Sequence, residues 1–217
     1  MKKIFAILIF MISLTSFGQR DFHDFETWHR FKANTKYNDF KFYVAPGIRL
    51  YENSTQLKAV FSDFAVSYKV HKYFKPKFNY RYALKSKYDI GSISVHRFNL
   101  DLGSDISLGK FNLDFRDRLQ VDFDYKGGEL SNRTKFKVTY DMGEGIQFYG
   151  ATEAWFSLGD VIPFSKYRFS FGFDLELMKR NAITVFYMRQ ASVTSRVPFK
   201  GNVIGVVYSM KVKSLFK

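Results

Sequence analysis

Four histidines, His23, His29, His71 and His96, are the residues of this chain best suited to proton transfer or metal binding. None is spaced from a second strong ligand as a metal site requires, and the chain holds no cysteine. The sequence therefore predicts no metal and no cofactor. His96 stands apart because it alternates in phase with Phe98 and Leu100, on what would be an apolar strand face. A hydrolytic reading would pair it with Ser86 on the adjacent strand. No acid or amide is at hand to orient the imidazole, so the triad logic is not met and a non-enzymatic protein is expected.

The charged residues are better organised than the histidines. In "FNLDFRDRLQVDFDYK", residues 111–126, one alternate set is Phe111, Leu113, Phe115, Asp117, Leu119, Val121, Phe123 and Tyr125, and the other set is wholly polar. Alternation over this length marks a strand with one apolar and one polar face. A turn at "LGK" that pairs Leu108 with Phe111 places Asp101 opposite Arg118 and Arg97 opposite Asp122. Pairing Tyr125 with Leu130 places Arg133 opposite Asp122 from the other side. With Arg116 on the same face, these residues form a candidate ladder of charges inside a barrel, where each buried charge needs a partner. The ladder reads as a structural filling of the lumen, with a charged lining or ligand site as the functional alternative.

Asp117 is the exception on the apolar face. The same registers set it between Leu102 and Val138, with Tyr140 diagonal and able to offer a hydroxyl. A β-bulge could instead turn it toward Arg116 and Arg118. Accommodation of this kind predicts that Asp117→Asn leaves folding and localisation intact and that Asp117→Leu slightly stabilises the barrel. A partner protein or a lipid contact at this spot is the alternative.

The elements that position these residues repeat the alternation along the chain. The pattern predicts strands at 26–34, 40–51, 57–70, 74–85, 95–108, 111–126, 130–142, 146–156, 167–178, 182–193 and 202–212. Most are long enough to cross a bilayer at a tilt, which takes about 9 to 11 residues. The chain carries 26 Phe and 14 Tyr but 4 Pro. Rings on nearly every strand would overfill a small barrel interior, whereas an outward band with aromatic girdles uses them. The reading is all-β: a transmembrane, antiparallel, up-and-down barrel of about 10–12 strands. An even count is expected, ten slightly ahead of twelve, with residues 19–34 lying in or under a ten-stranded wall. The connections predict short turns at one rim and mostly longer loops at the other.

The first residues, "MKKIFAILIFMISLTSFGQR", show two lysines, an apolar run and small residues at 16 and 18, the pattern of a signal peptide cleaved after Gly18. Residues 1–18 are thus expected to be the signal peptide and residues 19–217 the barrel domain. The formal charge of +14 would suggest nucleic acid in a cytoplasmic protein. Behind an export signal it suggests anionic headgroups or surface polysaccharide instead. The expected location is the outer membrane of a Gram-negative bacterium. The expected partners are outer-membrane lipid and, during insertion, the barrel-assembly machinery, with no nucleic acid.

The segments "ETWHRFKANTKYNDFKFYVAPGIRLYEN", "YKVHKYFKPKFNYRY", "HRFNLDL", "GKFNLDFRDRLQ", "SKYRFSFGFDLEL" and "NVIGVVYS" resemble a family of small, uncharacterised outer-membrane barrels of Bacteroidetes-type bacteria, domain-of-unknown-function family 2490. The resemblance implies barrel architecture and outer-membrane location, and no activity comes with it. Two other readings stay open: a lipid-modifying outer-membrane enzyme, and a soluble periplasmic barrel that binds an apolar ligand.

Overall fold

The computed structural model describes residues 23–71, 74–87, 91–159, 164–193 and 200–213. The expected signal peptide lies outside them. Among the described residues there are eleven strands: β1 (His23–Tyr37), β2 (Phe40–Tyr51), β3 (Gln56–Tyr68), β4 (Lys77–Lys87), β5 (Gly91–Leu108), β6 (Phe111–Asp124), β7 (Gly127–Gly143), β8 (Ile146–Ser157), β9 (Phe164–Met178), β10 (Asn181–Ser192) and β11 (Lys200–Lys211). They form one closed barrel in which each strand pairs with its neighbours in sequence. The closure joins β11 to β1.

That closing pair is parallel, from His23 beside Lys200 to Asn34 beside Lys211, while every other pair is antiparallel. The expected even count is thereby corrected to eleven. An odd number of up-and-down strands brings the first and last into the same direction, and only a parallel ladder can then close the ring. Most of the 19–34 segment is neither inside nor under the barrel. From His23 onward it is part of the wall.

Which face is outward follows from exposure. On β6, Phe115 and Phe123 are 48% and 46% exposed, whereas Arg118 and Gln120 between them are buried. The same inversion holds on β3 and β4, where Phe64 and Phe78 face outward and Asp63 and Asn79 are buried inside. Outward rings touch across strands: Phe40 with Tyr68 at 4.7 Å between centroids, Tyr80 with Phe98 at 5.1 Å and Phe98 with Phe123 at 6.1 Å. Cross-strand aromatic contacts of this kind stabilise a sheet locally. No helix among the described residues is long and apolar enough to cross a membrane, a criterion silent on strands.

The interior is filled partly by apolar side chains laid over glycines. A Cβ on Gly47 would come within 2.5 Å of the Phe61 ring, and one on Gly205 would overlap the ring of Phe186. Both glycines point inward and leave room for a neighbour's ring. Phe61 also packs with Ala83 and Val95, the small apolar cluster of the lumen.

Connection lengths follow the expected asymmetry only in part. One rim has tight turns at 38–39, 109–110, 144–145 and 179–180, but its 69–76 connection is longer than the sequence suggests, with a bridge between His71 and Phe74. The opposite rim has the 52–55 loop, yet β6 turns into β7 through Tyr125 and Lys126 alone; the other loops expected there fall largely outside the described residues.

Candidate functional site: the charged lumen

Alternation sends one polar set inward from every strand, and the register decides which of these side chains meet. The β5–β6 register is the one expected from the "LGK" turn, with Leu108 paired to Phe111. Arg118 consequently grips Asp101 through two hydrogen bonds, of 2.6 and 2.8 Å. Arg97 does the same to Asp122, at 2.6 and 2.5 Å. Such fork-to-fork pairing is the strongest ion-pair geometry available to arginine.

The β6–β7 register differs from expectation. Asp124 pairs with Gly127, so Arg133 lies opposite Arg118, and Asp122 lies opposite Glu129. Arg133 therefore does not share Asp122. It reaches over to Glu153 on β8 at 2.9 Å and donates to Gln120 at 2.8 Å. Arg116 also binds Glu153, and Arg168 of β9 approaches it at 3.7 Å. Glu153 thus collects three guanidiniums.

The same economy of acids recurs elsewhere in the lumen. Asp63, 2% exposed, holds Arg81 at 2.6 Å and Arg30 at 3.2 Å. Asp101 takes Lys77 at 2.7 Å besides Arg118. Glu26 is fully buried and accepts from Lys58 at 2.6 Å, from the Trp28 indole at 2.8 Å and from Gln190 at 3.1 Å. These contacts tie β1 to β3 and β10, so each link reaches past the one intervening strand.

Two tryptophans complete the filling. The Arg49 guanidinium sits 3.9 Å from the Trp28 ring centroid, and Arg168 lies between the two indoles, 5.2 Å from Trp28 and 4.1 Å from Trp155. Arg133 faces Trp155 at 4.1 Å. Arginine and indole therefore alternate from Arg49 to Arg133. Stacking of this kind accommodates cations where carboxylates are scarce.

On the outer face, Asp117 is opposite Leu102 as expected, but its other neighbour is Thr134, not Val138. It accepts from the Thr134 hydroxyl at 2.8 Å and from the Asn132 amide at 3.0 and 3.1 Å. Neither Tyr140 nor a bulge is involved. The acid heads a compact polar triad within the apolar wall.

The structure does not bring His96 and Ser86 together. The His96 ring is 2.8 Å from the Tyr80 hydroxyl on the outer face. Ser86 pairs with Ser92, four residues along β5 from His96 and so roughly 13 Å away. His29 is exposed on β1, and His71 lies in the 69–76 connection. The described residues contain no cluster of three or more His, Cys, Asp or Glu suited to a metal.

Glu26, Asp63, Glu153 and Arg49 are among the lumen residues that sequence reasoning missed, as are Arg30, Arg81 and Arg168. Each sits in the inward phase of its strand, and that phase was the available signal. Asp63 is flanked in phase by Phe61 and Ala65, which disguises an inward polar position as apolar.

The family described as "Protein of unknown function (DUF2490)" matches residues 25–196, which run from β1 to beyond the end of β10. Comparison with curated proteins gives no match.

Proposed function

This chain belongs to the DUF2490 family, and because that description assigns no activity, we propose a role from the barrel itself: a non-enzymatic outer-membrane barrel whose lumen is narrow or closed. The observation that carries the reading is the inversion of faces. Phe, Leu and Tyr point outward around the ring while Glu26, Asp63, Asp101 and Glu153 are buried within it. In water such a wall would be one continuous exposed apolar surface, far beyond the few hundred Å² a soluble monomer tolerates. In lipid the same wall is solvated, and a closed barrel leaves no edge unpaired. Outer-membrane lipid is then the main partner, and the assembly machinery acts on the chain before closure.

The lumen supports a structural or ligand-interacting role in preference to a wide pore. Arg168 between two indoles and Glu153 among three arginines put bulky, mutually paired side chains inside the wall, which favours a narrow or closed lumen. Membrane fractionation with boiled and unboiled gel samples tests the placement: a band that shifts on boiling and fractionates with outer-membrane markers is expected. A soluble protein with no such shift would refute it. Planar-bilayer recording tests the lumen, and a stable large conductance would overturn the closed reading.

A further inference from the structure

All seven other inward-pointing arginines described above reach a carboxylate. Arg49 does not. Among the described residues its guanidinium has ring faces as neighbours, Trp28 at 3.9 Å and Phe61 at 5.0 Å. Its Nε is buried without a hydrogen-bond partner. The charges that act on it most strongly are those of Arg81, Arg168, Arg30 and Arg97, all of its own sign. A cation so placed is costly, because stacking on an indole offsets only part of the desolvation and none of the repulsion.

A cavity of about 30 Å³ lies beside it, lined by Arg49, Arg81, Lys85 and Arg97 on the polar side and by Phe61 and Val95 on the apolar side. A single water needs roughly 10–15 Å³ by the same kind of measure, so the space admits about two oxygen-sized atoms. Arg81 and Arg97 have their forks committed to Asp63 and Asp122. Among the described residues, Arg49 and Lys85 are the cations at its wall without an ion-pair partner. Two oxygens facing a planar fork and an ammonium match one carboxylate group.

We propose that this cavity is a binding site for the carboxylate group of a small organic acid, held by Arg49 and Lys85 over the Phe61 ring. The site lies toward the rim of the 52–55 loop, where β2 ends and β3 begins. It depends on the interior alone, whatever surrounds the barrel. The occupant could be a free small acid or the carboxylate end of a longer molecule entering from that rim.

Trp28 gives a direct readout, since it is stacked on Arg49 and the chain has one other tryptophan, Trp155. The full-length protein carrying Trp155→Phe, refolded in detergent, is titrated with formate, acetate and hexanoate against chloride at equal ionic strength. A saturable change in Trp28 emission with formate or acetate is expected. Response to hexanoate as well assigns the source to a longer molecule reaching in from the rim, and response to the short acids alone assigns a free small acid. Arg49→Lys should weaken binding tenfold or more, and Lys85→Met should do the same. Lys36→Met at the opposite rim should leave it unchanged. No saturable response in the Trp155→Phe protein, or an equal response to chloride, overturns the proposal without reference to any cavity variant.

Discussion

Glu153→Gln tests whether the charges of the lumen act as a network or as separate pairs. The carboxylate serves Arg133 at 2.9 Å, Arg168 at 3.7 Å and Arg116. Its side chain is 9% exposed, and those of Arg133, Arg168 and Arg116 are 9%, 15% and 24% exposed. Removing one partner of a buried pair costs about 3–5 kcal/mol, mostly from the charge left behind. Arg133 keeps Gln120 and Trp155, Arg168 keeps Gln190 and both indoles, and Arg116 retains some contact with solvent. The loss should therefore fall near the lower limit, about 3 kcal/mol, or roughly a 150-fold change in the folding equilibrium. Urea titration of the barrel in short-chain phosphatidylcholine vesicles, followed by tryptophan emission, measures it. Glu129→Gln, at an exposed rim position, should change stability by less than about 0.5 kcal/mol. The network argument fails if Glu153→Gln costs no more than that control. It is supported further if Arg116→Met, introduced with Glu153→Gln, recovers part of the loss.

Asp117→Asn should be nearly neutral, since an amide oxygen can still accept from Thr134. Asp117→Leu, by contrast, should destabilise by about 1–3 kcal/mol in the same titration, because Asn132 and Thr134 lose their acceptor; this replaces the slight stabilisation expected when the acid's partners were unknown. Gly205→Ala should cost about 1–3 kcal/mol through overlap with Phe186, and adding Phe186→Leu should return much of it. Because the chain has no cysteine, single thiols can be placed freely: intact cells should label Asn53→Cys with a membrane-impermeant reagent, and Glu144→Cys only after permeabilisation. The reverse pattern would overturn the orientation that goes with the proposed outer-membrane placement.

Strand existence and facing were legible because alternation is a local property, repeated along the chain. The β5–β6 register was legible for the same reason: Gly109 and Lys110 form a tight turn that leaves one pairing available, and Asp101–Arg118 and Arg97–Asp122 follow from it. The β6–β7 register was not. Gly127 and Gly128 read as loop residues, yet they open β7, with Gly127 at a φ of 123° that only glycine adopts readily. That difference of four residues in the register moved Arg133 from Asp122 to Glu153 and Asp117 from Val138 to Thr134. Strand parity could not be settled locally either, because nothing within β1 announces that its second neighbour is the last strand. The acids at Asp63 and Glu153 gather their arginines from strands on either side of their own, and such convergence is set by barrel curvature, which a linear pattern does not encode.

The parallel seam gives this barrel a late commitment. Ten of its pairings join consecutive strands and can form as neighbours meet, but the eleventh joins residues 177 apart in sequence, His23 to Lys200, through twelve registered pairs. Bringing such distant segments together costs on the order of (3/2)RT ln 177, about 4.6 kcal/mol, before any bond in that ladder offsets it. Parallel bonds are also slightly weaker per residue than antiparallel ones. Until the clasp shuts, β1 and β11 both present open edges on which another strand could template. Closing the ring, more than making the strands, is thus the step that should set the clock for folding.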